Sequence, residues 1–401
     1  MSRMPVALAG AVGAALLLSA CSTQQLTSLA RTKDPAHALQ SMAEDRVDQY
    51  KDDPTLALAD LKQAKAEYDR LFGHLKQKSS EQWGEQESET LPDRTRYVKY
   101  TEDYRNRVVV DWDAGTVLIE HLDQPDVRAR LLGAVVTALL TPDDPGAVDL
   151  FSDREVELTG TPYLQGLVAD QDGRLLENRA DAERYAGWLV ANRLEQRTIE
   201  VAGQPRTVQY VGFGMVNTHL DKSAVQYAAV VRRHSESTEV SRALVYAIIR
   251  IESAFNPYAV SPAPAYGMMQ LVPTSGGRDA YRRARGQDKA PSKEYLFDAD
   301  QNIELGANYL ALLLKDTALS RITDPVSREY CAIAAYNTGA GNVFRTFSQA
   351  NGKAKQEEAV ARINAMTPAE VYDTLRRKLP YEETRHYIVK AVEAKKRYAA
   401  M

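Results

Sequence analysis

Ile251-Glu-Ser-Ala-Phe-Asn-Pro-Tyr-Ala-Val-Ser-Pro-Ala-Pro-Ala-Tyr-Gly-Met-Met-Gln-Leu-Val-Pro273 is the most informative stretch of the chain. Upstream of it, Val240, Leu244, Ala247, Ile248 and Ile251 recur at the spacing that lines one helix face, and Pro257 must end that helix soon after Glu252. Glu252 therefore stands in the last turn, beside an apolar stripe. Desolvation and the negative end of the peptide dipoles both disfavour its ionised form, so its pKa should rise and suit a proton donor at neutral pH. The bland alternative is a solvated glutamate in a last turn. Against it, the run of Ser261, prolines, Gly267 and Gln270 has neither helix nor linker composition, and reads as a loop that returns polar groups to the glutamate.

Around this stretch the patterning is helical. Residues 221–234, 239–253, 302–316, 326–337, 368–377 and 383–398 carry helix periodicity, which predicts an all-α domain over residues 222–401. Before Asn217 the signals are mixed. Ala57, Leu61, Ala64, Tyr68 and Leu71 have helical spacing, and the charged stretch from Lys76 to Arg94 reads as a linker or an exposed helix end. Strand patterns begin at Tyr97; two β-branched runs within Arg107–His121 flank Asp113-Ala114-Gly115, a hairpin signal with glycine where positive φ is needed. Residues 125–141 and 179–195 read as helices and 206–215 as a strand. The expectation is an α+β domain over 54–221 followed by the all-α domain.

The N-terminus reads as an address. Residues 1–20 combine Arg3, an apolar run from Val6 to Leu18 and small residues, and this run is shorter than the roughly 20 residues a membrane-spanning helix needs. Leu18-Ser19-Ala20-Cys21 resembles the lipobox of bacterial lipoproteins, with Cys21 as the acylated residue and Ser22 implying routing to the outer membrane, facing the periplasm. Residues 21–53 then serve as a lipidated tether. Cys331, the one other cysteine, lies in an apolar helical run and reads as a core residue. Residues 222–401 hold 26 Lys and Arg against 19 Asp and Glu, a net of +7, while the preceding part has 24 against 35, a net of −11. A mildly basic C-terminal domain suits an anionic polymer.

Taken in order, Glu252-Ser253-x-Phe255-Asn256-Pro257, Ser261, Gly267-Met268-Met269-Gln270-Leu271, Asn302-Ile303-x-x-Gly306, Ala334-Ala335-Tyr336-Asn337-x-Gly339-x-Gly341 and Glu383-Thr384-Arg385-x-Tyr387 resemble the motifs of the lytic transglycosylases with a goose-lysozyme-like fold. The resemblance covers about residues 222–401 and implies a lysozyme-like catalytic domain acting on peptidoglycan glycan strands without a cofactor. It implies Glu252 as catalytic acid and base. Ser261 and Gln270 match residues that contact sugar near the scissile bond, Tyr336 and Asn337 the cleft motif, and Glu383 and Tyr387 the late motif behind the cleft. Met268 stands where leucine is usual, a swap that conserves volume. A simple helix cap is the alternative for Asn337.

Other chemistries lack their residues. His219, His234 and His386 have no metal-ligand spacing, no Gly-x-Ser-x-Gly elbow occurs, and no nucleic-acid-binding signature accompanies the basic charge. His121, Asp143, Asp144, Asp149, Asp153 and Asp172 in the first domain read as acidic surface, leaving binding, positioning or the docking of other cell-wall enzymes as its role. Two rivals stay open at this stage: a hydrolytic muramidase of the same fold, and a non-catalytic wall-binding scaffold.

Overall fold

The computed structural model describes residues 54–401 except 123–124, 262–264 and 351. The signal segment 1–20, Cys21 and the tether to residue 53 lie outside the described residues.

The first domain is built on strands β1 (Arg96–Thr101), β2 (Asn106–Asp111), β3 (Thr116–Leu122), β4 (Glu195–Val201) and β5 (Gln204–Gly214). They form one antiparallel sheet in the order β1-β2-β3-β5-β4. The β2–β3 hairpin is the one expected: Asp111 faces Thr116, and Gly115 takes φ +67°. Strand β4 was not anticipated. Glu-Gln-Arg-Thr-Ile-Glu-Val offers little apolar alternation, because β4 is an edge strand whose side chains are mostly exposed. Helices α1 (Pro54–Trp83), α2 (Val127–Leu140) and α3 (Arg179–Asn192) complete the domain, with α2 packed on the sheet and on α3.

The charged stretch from Lys76 onward is more structural than a linker. Helix α1 runs through it to Trp83, which is fully buried, donates its indole N–H to the Tyr104 carbonyl at 2.6 Å and lies 4.2 Å under the Arg107 guanidinium. Glu87 follows in a short 3₁₀ turn and shares Arg107 and Arg197 with buried Glu120. The hydrogen bond from Arg197, helped by Arg107, holds the Glu87 carboxyl down at about 2 against the opposing effect of burial. The network fixes the start of the chain segment that leads into β1.

The second domain is helical: α4 (His219–Gln226), α5 (Ala228–Thr238), α6 (Arg242–Ser253), α7 (Gly276–Arg285), α8 (Lys293–Phe297), α9 (Ala299–Ala311), α10 (Pro325–Thr338), α11 (Ala340–Phe347), α12 (Gly352–Asn364), α13 (Pro368–Lys378) and α14 (Glu382–Arg397). Four of these, α7, α8, α11 and α12, escaped the periodicity reading. Helix α7 opens on two glycines and is arginine-rich, α8 is a single turn and a half, and α11 follows directly on Gly339, so none presents a long clean stripe. Helix α6 is buried on more than its predicted face. Residues Ala243 to Ile249 are all buried, with α14 and α5 packed against it.

The two domains share one apolar core. Tyr258, just past α6, inserts between Tyr97 and Tyr163 of the first domain, with ring centroids 4.9 and 5.9 Å away, and its hydroxyl donates to the Pro142 and Asp144 carbonyls. Edge-to-face contacts of this kind contribute about 0.5–1.5 kcal/mol each beyond the area they bury. Arg250 pairs with Asp113 of the hairpin at 2.8 Å, and His219 meets the Trp112 carbonyl at 2.9 Å. The loop after Glu252 is thus gripped from the β side as well as the helical side.

Candidate active site

Helix α6 ends where Pro257 required. Ala254 caps it in the left-handed region at φ +52°, and Phe255 follows at φ +66°. Two consecutive non-glycine residues with positive φ store local strain that the surrounding packing must hold, and both are fully buried. The turn leaves Glu252 in the final helical turn with only 6% of its surface exposed.

Glu252 is held at both oxygens. The Tyr387 hydroxyl, from α14, donates to Oε1 at 2.7 Å, and the Arg94 guanidinium lies 3.4 Å from Oε2. Burial raises the Glu252 pKa; the Arg94 charge and the Tyr387 hydrogen bond oppose it, and the nearby Glu383 charge adds to the rise. The expected direction is therefore met, with desolvation as the largest cause. Tyr387 and Tyr336 are themselves pushed well above the usual tyrosine range, first by burial and then by the Glu252 charge, so both stay neutral hydroxyl donors.

The loop from Val260 to Leu271 is stapled from below. Val260 and Leu271 both bridge to Tyr266, and Gly267 turns the chain at φ +75°. A side chain at Gly267 would strike the Leu296 carbonyl and the Asn302 amide, so glycine is required there for approach as well as for φ. Asn302, fully buried on α9, donates to the Tyr266 and Leu296 carbonyls at 2.8 and 2.7 Å and accepts from the Met269 N–H at 2.7 Å. Its motif partner Gly306 leaves the space that the Met269 side chain fills. Met268 and Met269 are both fully buried packing residues.

Each residue singled out in the sequence has a definite place. Gln270 adopts φ +48°, donates its amide to the Gly267 carbonyl at 2.9 Å and keeps its buried Oε1 without a partner. Tyr336 donates to the Met269 carbonyl at 2.8 Å, which ties α10 to that loop beside Gln270. Asn337 is no helix cap: Gly339 caps α10, bonding back to Ala335, while buried Asn337 Oδ1 has no partner. Ser261 is buried, and its N–H donates to the Ala265 carbonyl. Glu383 is half-exposed and lies 3.7 Å from Arg94. Cys331 is fully buried, and its thiol pKa is pushed up by burial, as a core residue requires.

The residue missed in the sequence is Arg94. It comes from the first domain, 158 residues before Glu252, and reaches the carboxylate because its own backbone is docked on the loop after α6. Asn256 donates to the Arg94 carbonyl at 3.2 Å, and the Val260 N–H donates to the Asp93 carbonyl at 3.3 Å. Asp93 Oδ1 in turn accepts from the Thr95 and Arg96 N–H groups, which fixes the turn. Nothing local in the sequence around Arg94 reports a partner so distant in the chain.

With this geometry in hand, similarity to known proteins is specific. The family model described as the transglycosylase SLT domain matches residues 229–359, the segment that carries Glu252, Gln270 and Asn337. Fold and motifs define a lytic transglycosylase. A second model, for the N-terminal domain of membrane-bound lytic murein transglycosylase C, matches residues 59–226. Membrane-bound lytic murein transglycosylase C of Cronobacter sakazakii is 38% identical over 332 residues, covering 82% of this chain and 89% of its own. That of Serratia proteamaculans is 41% identical over 303 residues, covering 75% and 82%. The chain belongs to this transglycosylase C family. Among solved structures, the 70 kDa soluble lytic transglycosylase of Escherichia coli is similar at 26% identity and a TM-score of 0.33, over 44% of this chain and 25% of that one. This chain thus spans about a quarter of that protein's length.

Proposed function

We propose that the chain cleaves the β-1,4 bond between N-acetylmuramic acid and N-acetylglucosamine in peptidoglycan without water, with Glu252 moving both protons. Glu252 protonates the leaving glycosidic oxygen as the bond to C1 breaks. It then accepts the proton of the muramoyl C6 hydroxyl as that oxygen bonds to C1, which leaves a 1,6-anhydromuramoyl end.

The observation that carries this reading is a buried carboxyl with raised pKa, in reach of a tyrosine hydroxyl and a guanidinium. An inverting hydrolase requires a second carboxylate free to activate water. The carboxylate nearest in the network, Glu383, is half-exposed and engaged by Arg94. In the non-hydrolytic route the substrate's own 2-acetamido group stabilises the anomeric centre. The unpartnered oxygens of Gln270 and Asn337 are suited to accept the N–H of such groups, since a buried acceptor without a partner is costly until a ligand satisfies it. Ser261, Tyr336, Glu383 and Tyr387 complete the proposed substrate-binding set. Mass analysis of products from intact sacculi tests the reaction: an anhydro end is one water lighter than a reducing end. Products dominated by reducing N-acetylmuramic acid would favour the muramidase.

For location, we propose a lipid anchor at Cys21 in the outer membrane, with the catalytic domain facing the periplasm. Among the described residues no helix is long and apolar enough to cross a membrane. The reading rests on Leu18-Ser19-Ala20-Cys21, and several acyl chains anchor where one would not. The first domain is also proposed as a surface on which other cell-wall enzymes dock.

A further inference from the structure

We propose that Arg94, supplied by the first domain, is a positioning residue for the reaction: it holds the Glu252 carboxylate during the interval between giving up one proton and taking the next. The inference rests on the reading of Glu252 as the acid and base.

The difficulty it resolves is intrinsic to a one-carboxylate mechanism. Burial favours protonated Glu252, which helps the first proton transfer. After that transfer the same burial penalises the carboxylate, and the penalty is greatest while the anomeric centre waits for the C6 hydroxyl. A cation placed at the oxygen that the tyrosine does not occupy stabilises that state. Arg94 meets the condition by geometry: its Nη1 faces Oε2 at 3.4 Å, while Tyr387 holds Oε1 at 2.7 Å. Its Nη2 lies 3.7 Å from Glu383, so the guanidinium spans the two carboxylates. A guanidinium also stays charged whatever proton Glu252 carries.

The groups facing Glu252 come from three directions. The segment before β1 gives Arg94, helix α14 gives Tyr387 and Glu383, and helix α10 gives Tyr336, whose own hydroxyl bonds Met269. Arg94 is the cation in this set. Its position is built in, because the Arg94 and Asp93 carbonyls are clasped by Asn256 and Val260 of the catalytic loop. The first domain would then complete the active site as well as carry it.

The test uses the full-length chain with Arg94→Gln and Arg94→Lys, measuring kcat and KM on soluble glycan oligomers across pH, with Glu252→Gln alongside. Activity of the acid form falls as pH rises through the Glu252 pKa. Losing the cation raises that pKa, so in Arg94→Gln the falling limb should move up by about one pH unit, with kcat lower by roughly tenfold or more and KM little changed. Arg94→Lys should bring the limb back toward its original position. A limb unmoved in Arg94→Gln, or an Arg94→Lys profile no closer to the parent than that of Arg94→Gln, would overturn the proposal. Undiminished activity in Glu252→Gln would instead remove the reading beneath it.

Discussion

Replacing Tyr387 by phenylalanine removes one hydroxyl from the site and little else. The ring is buried on α14, and phenylalanine keeps its packing, so the change isolates the 2.7 Å hydrogen bond to Glu252 Oε1. A hydrogen bond to an ionised group contributes about 1.5–3 kcal/mol, and each 1.36 kcal/mol is about tenfold in rate. The bond is strongest when Glu252 is a carboxylate, which in the proposed mechanism is the state that accepts the C6 hydroxyl proton. Tyr387→Phe should therefore lower kcat by about ten- to a hundredfold with KM nearly unchanged. It should also raise the Glu252 pKa, because the hydroxyl favours the ionised form, and so shift the falling limb of the pH profile upward. Initial rates on defined glycan oligomers, separated by chromatography at a series of pH values, give both quantities. A variant with kcat within about twofold of the parent and an unmoved limb would refute the reasoning.

Asn302→Ala strands two buried backbone groups, the Leu296 carbonyl and the Met269 N–H, and leaves the Tyr266 carbonyl only the Leu271 N–H, so it should cost roughly 2 kcal/mol or more in urea unfolding and reduce turnover by loosening the Gln270 loop. Glu87 has a folded pKa of about 2, below its unfolded value, so its stabilisation is present above about pH 4.5 and lost as pH falls toward 2. Glu87→Gln should accordingly destabilise the chain at pH 7 and flatten the acid side of its melting-temperature profile; an unchanged profile would count against the network. Cys21→Ala should leave a soluble or unprocessed chain, and processed protein still in the outer-membrane fraction would reject the anchor.

The sequence carried the helix-end glutamate and the loop behind it because both are written locally. An apolar stripe, Pro257 and Gly267 leave few conformations open. The β2–β3 hairpin was legible for the same reason. Strand β4 was not, since a mostly exposed edge strand bears little alternation, and α7 opens on glycines while α11 follows directly on one, so both starts read as loop. Lys76–Arg94 misled more seriously. Charges there looked solvated, yet Glu87 is drawn into a network with Arg107 and Arg197, and Arg94 reaches Glu252. Those pairings are long-range, and residue type alone does not tell a surface charge from a buried pair. The roles of Gln270 and Asn337 came from resemblance to a family; their unpartnered oxygens give that resemblance a physical motive.

Glu252→Gln is the most direct measurement. The substitution removes the transferable proton and nearly preserves shape. It also removes a carboxylate whose pKa burial raises, and that group weakens folding as pH climbs through its folded value. The variant should therefore fold, bind glycan and melt no lower than the parent at pH 7. Its turnover on purified peptidoglycan should fall toward the larger end of the about 100- to 10,000-fold expected for losing general acid-base function, since one residue serves both steps in the proposed mechanism. Turnover undiminished in a folded Glu252→Gln chain would contradict the account.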